Sequence, residues 1–182
     1  MSVTTRTFEQ VALDDPDRQW ELHHGELREK PSMSFRHNDV MMQLGVTLAQ
    51  QLDRKQYHVR VNAGHVSRTT ETYYIPDVFV FPVSAIGPGR DRHDVLEVYD
   101  QPLPLVVEIW SPSTGEYDVN TKLPEYQLRG DQEIWRVQPF QQVLDIWRRQ
   151  PDGRYEQTTH HGGQIAVGSL PGVVIDLDTL FL

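Results

Sequence analysis

Two acidic residues sit where an unpaired charge is costly. Asp77 lies in Ile75-Pro76-Asp77-Val78-Phe79-Val80-Phe81, and Glu108 in Leu105-Val106-Val107-Glu108-Ile109-Trp110. Each is the lone acid of a near-continuous apolar run, the pattern of a central strand covered on both faces. An ionised carboxylate there needs a cation, a metal or hydrogen-bond donors. Two such acids on neighbouring strands can share one cation, and Mg²⁺ favours one or two carboxylates together with water and a substrate phosphate. Lys122 opens the helix after the Glu108 strand, where an ammonium can orient or activate water and stabilise charge developing on a phosphate. Taken singly, each residue has a plainer reading. An Asp after Pro marks a turn or strand end, a strand Glu faces solvent or pairs with Arg, and a first-turn Lys is exposed. The combination, two acids in consecutive strands followed by a lysine, is what points to phosphate chemistry.

The elements that would position these groups are readable from periodicity. Thr7 caps a short helix over Phe8–Leu13, which Asp14-Asp15-Pro16-Asp17 stops. Trp20-Glu21-Leu22 and Glu26-Leu27-Arg28 read as a hairpin turning at His24-Gly25. Ser34 caps a long helix to about Lys55, with Val40, Met41, Leu44, Leu48 and Leu52 as its buried stripe. Strands follow at Tyr57–Val61, Tyr73–Phe81 and Leu105–Trp110, then a helix over Thr121–Arg129 closed by Gly130. Glu133–Val137 and Val143–Arg148 form a second hairpin, and Tyr155–Thr159 and Val173–Leu177 are weaker strands. From residue 34 the order is helix, three strands, helix, strand, then a β-rich tail, which predicts a mixed β-sheet with helices packed on it, an α/β (α+β) fold. Asp118 either pairs with Lys122 or precedes the helix as a capping residue. Pro124 places the start of helical geometry near Thr121, so Asp118 and Lys122 are not expected on one helical face.

Composition narrows the classes. A chain of 182 residues favours a single domain over 1–182 and buries a core without staples. With no cysteine, disulfides, thiolate nucleophiles, Cys-ligated zinc and iron–sulfur clusters are excluded. The net charge of −9 argues against a large basic surface holding nucleic acid by itself. Residues 71–118 carry nine acids and two arginines, so most of the excess falls on the segment containing Asp77, Glu108 and Asp118. The polar start of the chain and its short apolar runs predict no membrane segment and a cytoplasmic setting. The loop Gly87–Arg92 is the best linker candidate and reads as lying within one domain. The pairs His23-His24 and His160-His161 lack the spacing of a helical zinc motif and read as surface, and Trp135 and Trp147 read as core or interface aromatics.

The sequence resembles the Uma2 family, also described as domain of unknown function 820, within the PD-(D/E)XK nuclease superfamily. The matching segments are Trp20-Glu21-Leu22-His23-His24-Gly25-Glu26-Leu27, His37, Pro76-Asp77-Val78, Leu105–Ile109 and Ser111-Pro112-Ser113-Thr114. Tyr117-Asp118, Lys122-Leu123, Tyr126 and Glu133–Val137 complete the set, which runs in order along nearly the whole chain. The resemblance implies a restriction-endonuclease-like core and Mg²⁺-dependent cleavage of a nucleic-acid phosphodiester, with DNA as the polymer and Mn²⁺ as a substitute ion. It makes Asp77 and Glu108 metal ligands and Lys122 the displaced catalytic lysine, with Glu26 and His37 flanking the site. The superfamily's simplest pattern puts lysine two residues after the glutamate, and here that position is Trp110.

Three readings stand at this point. The first is an endonuclease whose DNA binding is weak without metal. The second is a non-catalytic binding or assembly module that retains the nuclease fold, and the third is another metal-dependent hydrolase using the same carboxylates. Cutting both strands commonly takes two sites, which would suit a homodimer.

Overall fold

A computed structural model describes residues 2–89, 91–112 and 115–182. Arg90 of the candidate linker and Ser113-Thr114 of the family segment lie outside the described residues. The chain opens with α1 (Thr5–Asp14), capped by the Thr4 hydroxyl, and the hairpin β1 (Trp20–His23) and β2 (Glu26–Glu29). Helix α2 (Phe35–Gln51) starts where Ser34 Oγ accepts from the His37 amide. It ends short of Lys55 because Asp53 organises a turn, its carbonyl accepting from Gln56 and Tyr57 and its carboxylate from the Lys55 amide.

Strands β3 (Tyr57–Val61), β4 (His65–Thr69), β5 (Thr72–Tyr74) and β6 (Val78–Pro82) follow, then the short β7 (Val98–Tyr99) and β8 (Leu105–Ile109). The run Tyr73–Phe81 is therefore two strands, not one. Pro76 has no amide to donate to a ladder, and at this break the chain passes from one sheet to another. Helix α3 (Gly115–Tyr117), a π turn (Asp118–Lys122) and α4 (Leu123–Arg129) run on from one another, and Gly130 closes α4 in the left-handed region at φ 83°. The remainder is β9 (Glu133–Gln138), β10 (Val143–Arg149), β11 (Tyr155–His160), β12 (Gln164–Ala166), β13 (Val174–Asp176) and α5 (Leu177–Leu180).

The central sheet has six strands in the order β11-β10-β9-β8-β6-β3, with β8 and β9 parallel and the other neighbours antiparallel. The second sheet has the order β2-β1-β5-β4-β7, and β12 pairs with β13 alone. Period-two alternation sends Val78, Val80, Leu105, Val107 and Ile109 into a core with α2 and the C-terminal elements. The intervening Phe79, Phe81 and Val106 enter a second core with Val66 and Tyr74 of the other sheet and Tyr126 of α4. Both faces of β6 and β8 are covered, which is why these strands are apolar except at Glu108. Trp135 and Trp147 are buried, one in each core. Gly45 lets α2 lie close to the sheet, since a Cβ there would stand 2.3 Å from Val61 Cγ2. Among the described residues no helix is long and apolar enough to cross a membrane.

Candidate functional site

The alternation that puts Val106 in the second core puts Glu108 on the same face of β8, beneath the π turn and α4. There Glu108 Oε1 accepts from the Tyr126 hydroxyl at 2.5 Å and from Lys122 Nζ at 3.2 Å. Lys122 Nζ also lies 2.8 Å from Glu21 Oε1 and 3.9 Å from Asp118 Oδ1, and its side chain is 3% exposed. Asp118 and Lys122 thus do share a helical face, contrary to the expectation drawn from Pro124. Helical geometry begins at Gly115, and the wide π turn directly before α4 absorbs the disturbance of a proline that lacks an amide hydrogen. Burial opposes the Lys122 charge, but Glu108, Glu21 and Asp118 outweigh it and hold the ammonium protonated well above the usual lysine range.

Asp77 stands at the break between β5 and β6, at the start of its strand rather than in the middle. Its Oδ2 accepts from the Ile109 amide at 2.7 Å and from His37 Nε2 at 3.0 Å, and its Oδ1 accepts from Lys30 Nζ at 2.8 Å. His37 reaches it because Ser34 fixes the first turn of α2 and aims that turn inward; the imidazole is 1% exposed, and its Nδ1 has no partner among the described residues. Burial works against the Asp77 carboxylate, but Lys30 and His37 prevail and keep its pKa well below the ordinary range. Glu108 behaves oppositely. Burial pushes its carboxyl up to about 8, with Asp77 and Asp118 reinforcing the shift against the pull of Lys122.

Glu21, Lys30, Asp77, Glu108, Asp118 and Lys122 line one cleft of about 180 Å³, together with Arg28, Glu29, Pro31, Met33 and Tyr117. Five carboxylates (Glu21, Glu29, Asp77, Glu108 and Asp118) face three cations (Arg28, Lys30 and Lys122) across it. The Arg28 guanidinium lies over the Tyr117 ring at 3.9 Å, placing a cation at the cleft wall. Asp77, Glu108, Lys122 and Asp118 are brought together, and His37 supports Asp77 from behind. Glu26 is not among the lining residues. It lies exposed on β2, opposite His23 across the hairpin, and the carboxylate that this hairpin delivers to the cleft is Glu21. Glu21 and Glu26 share one face of the hairpin, but Glu26 stands at its turn end, whereas Glu21 lies farther along, buried, and accepts from the Ile75 amide at 2.8 Å.

Glu21, Arg28 and Lys30 line the cleft without standing out as candidates in the sequence. Glu21 carries no strong signal, because an acid beside Leu22 reads as the solvent face of an amphipathic strand. Lys30 carries none, because Arg28-Glu29-Lys30 has the composition of any solvated strand end. His23, read as surface, is half-buried and bonded to the Tyr74 hydroxyl at 2.7 Å.

The donor set can be tested against a divalent ion. Asp77 and Glu108 offer hard carboxylate oxygens to one cleft, which suits Mg²⁺ or Mn²⁺ rather than a soft metal. Both bonds to Glu108 fall on Oε1, and among the described residues Oε2 accepts none. Burial, reinforced by Asp77 and Asp118, raises the Glu108 pKa, and a dication beside it would favour the ionised form. No group of three or more His, Asp or Glu side chains among the described residues forms a closed metal cage. Asp77 and Glu108 would make an open two-carboxylate site, with water and substrate completing the shell.

Comparison with known proteins agrees with the fold. No curated protein matches the chain. A solved structure described as "a putative nuclease belonging to DUF820" from Anabaena variabilis aligns with a TM-score of 0.78 and 17% identity, covering 98% of this chain and 97% of that one. The family described as "Putative restriction endonuclease", Uma2, matches residues 5–178. Of the six-stranded sheet and its helices, α2, β3, β6, β8, α4 and β9 follow the order helix, three strands, helix, strand, and the family match establishes that the chain belongs to the Uma2 family.

Proposed function

We propose that the protein is a Mg²⁺-dependent endonuclease that hydrolyses DNA phosphodiester bonds. The observation that carries this reading is the convergence of Asp77, Glu108 and Lys122, from three separate elements, on one cleft. Asp77 and Glu108 would hold the ion, which when bound supplies Lewis-acid polarisation of the scissile phosphate and lowers the pKa of water. The protein's own groups do the rest. Lys122, held by Glu21 and Asp118 as well as Glu108, presents a fixed positive charge where negative charge develops on the phosphate. The Tyr126 hydroxyl and the His37 imidazole hold Glu108 and Asp77 in one orientation each, so little reorganisation accompanies reaction. Arg28 adds a cation for the polymer backbone at the cleft wall.

The test is cleavage of supercoiled plasmid with Mg²⁺ or Mn²⁺ by the wild type, Asp77→Ala, Glu108→Ala and Lys122→Met. Wild-type cleavage reduced by roughly 10²-fold or more in each variant, the scale of a preorganised charge stabiliser, supports the assignment. Equal activity in all four sinks it. One observation favours a second reading, a binding module on the nuclease fold: each carboxylate already holds a lysine. Calorimetry separates the two, because Mn²⁺ uptake that Glu108→Ala abolishes belongs to the nuclease reading.

A further inference from the structure

Lys30 has no part in the site as the sequence presents it, yet the fold builds a receptor for its ammonium. Nζ lies 2.8 Å from each of three oxygens: Asp77 Oδ1, Asn62 Oδ1 and the Ile75 carbonyl. An ammonium has three N–H donors, so all three are used. The side chain is 5% exposed. The three oxygens come from different places, the turn after β3, the break between the sheets and the start of β6, and the cradle is itself braced. Asn62 is held at φ 47°, the left-handed region that asparagine tolerates. Its amide donates to the Asp77 carbonyl at 2.8 Å, and its carbonyl accepts from Gln19 Nε2 at 2.7 Å. The Gln19 carbonyl in turn accepts from the Lys30 amide at 2.8 Å. Gln19 therefore ties together the lysine and the residue that receives it.

A carboxylate, a side-chain amide oxygen and a peptide carbonyl are also the donors that hard divalent ions take. We propose that Lys30 is a positioning residue serving as a built-in cation: its ammonium fills the three-oxygen cradle on the Asp77 side, so that the cleft takes up one divalent ion, on the Glu108 side, where the bare cradle would admit a second. This rests on the proposed metal-dependent reading of the same cleft. It assigns Lys30 the task of setting the number of ions, whereas a purely structural tie between hairpin and sheet would leave that number unchanged.

The experiment is a Mn²⁺ count by calorimetry on the full chain, cross-checked by the spin-resonance signal of free Mn²⁺. The proteins are the wild type, Lys30→Met, Lys30→Arg and Lys30→Met with Asn62→Ala, each checked for folding by circular dichroism. The expected result is one ion for the wild type and for Lys30→Arg, two for Lys30→Met, and a return to one when Asn62→Ala removes a cradle oxygen. Two ions on the wild type overturn the proposal without recourse to any variant, which keeps it falsifiable if Lys30→Met does not fold. One ion with unchanged affinity on folded Lys30→Met also overturns it, while leaving the nuclease reading intact. No ion on the wild type but one on Lys30→Met upholds the built-in cation and removes the metal-dependent nuclease. No ion on either protein removes both.

Discussion

Replacing Lys122 by methionine keeps most of the side-chain volume and deletes the charge that Glu21, Glu108 and Asp118 surround. Lys122 is 3% exposed, and its nearest carboxylate oxygens stand at 2.8 and 3.2 Å, so water does not take over the neutralisation. Removing one partner of a buried ion pair costs about 3–5 kcal/mol, because the remaining charge stays buried and uncompensated. At about 2–4 °C per kcal/mol for a chain of this size, the melting temperature should fall by roughly 6–20 °C. The same excess of negative charge should make the variant a better cation binder. Mn²⁺ at a hundredfold its Kd would restore about 2.7 kcal/mol by mass action. Denaturant unfolding with and without Mn²⁺ measures both effects. A loss below about 1 kcal/mol, the scale of an exposed pair, would refute the claim that Lys122 neutralises the cluster. A full loss that Mn²⁺ leaves unrepaired would refute the claim that the cluster accepts a divalent ion.

Other substitutions probe the same architecture. Tyr126→Phe removes the 2.5 Å hydrogen bond to Glu108 Oε1 and should cost about 1–3 kcal/mol in the same unfolding assay, the range for a buried acceptor left short of a donor. The pH dependence has two limbs of opposite sign. Glu108 keeps its proton up to about 8 in the folded chain against 4.5 ordinarily, so the folded state binds more protons between those values and stability falls as pH rises through that window. Glu108→Gln should flatten this limb. Asp77 is depressed, so its contribution is present above the ordinary carboxylate range and is lost as pH falls below it; Asp77→Asn should flatten the acid limb. Gly45→Ala drives a methyl to within 2.3 Å of Val61 and should cost about 1–3 kcal/mol by overpacking, read from the denaturant midpoint.

What the sequence reveals follows from where each charge stands. Asp77, Glu108 and Lys122 are legible because two of them interrupt apolar runs, where a charge demands a partner. The order of core elements is legible because α2 has a clear helical periodicity and β6 and β8 are short, nearly continuous apolar runs. Lys30 and Glu21 belong to a hairpin whose charges look like ordinary solvent-facing ones, and only elements distant in sequence, the β5–β6 break, Asn62 and Lys122, give them partners. The split of Tyr73–Phe81 between two sheets is hidden because strand propensity is high on both sides of Pro76; the proline is the visible clue, and its consequence depends on where β4 and β5 pair. The shared face of Asp118 and Lys122 is hidden because local preference at Pro124 describes a regular helix, whereas the fold uses a π turn.

The break at residues 75–77 has a mechanical meaning. It is a covalent strap between two sheets, and the cleft lies along the seam that the strap crosses. Glu21 and Lys30 ride with the β1–β2 hairpin, while Asp77 and Glu108 ride with the six-stranded sheet, so whatever fills the cleft grips both at once. Occupancy should therefore stiffen the seam as a unit. Amide hydrogens of β1 and β5 on one side, and of β6 and β8 on the other, would gain protection from exchange together, making the joint between the sheets a reporter of events in the cleft.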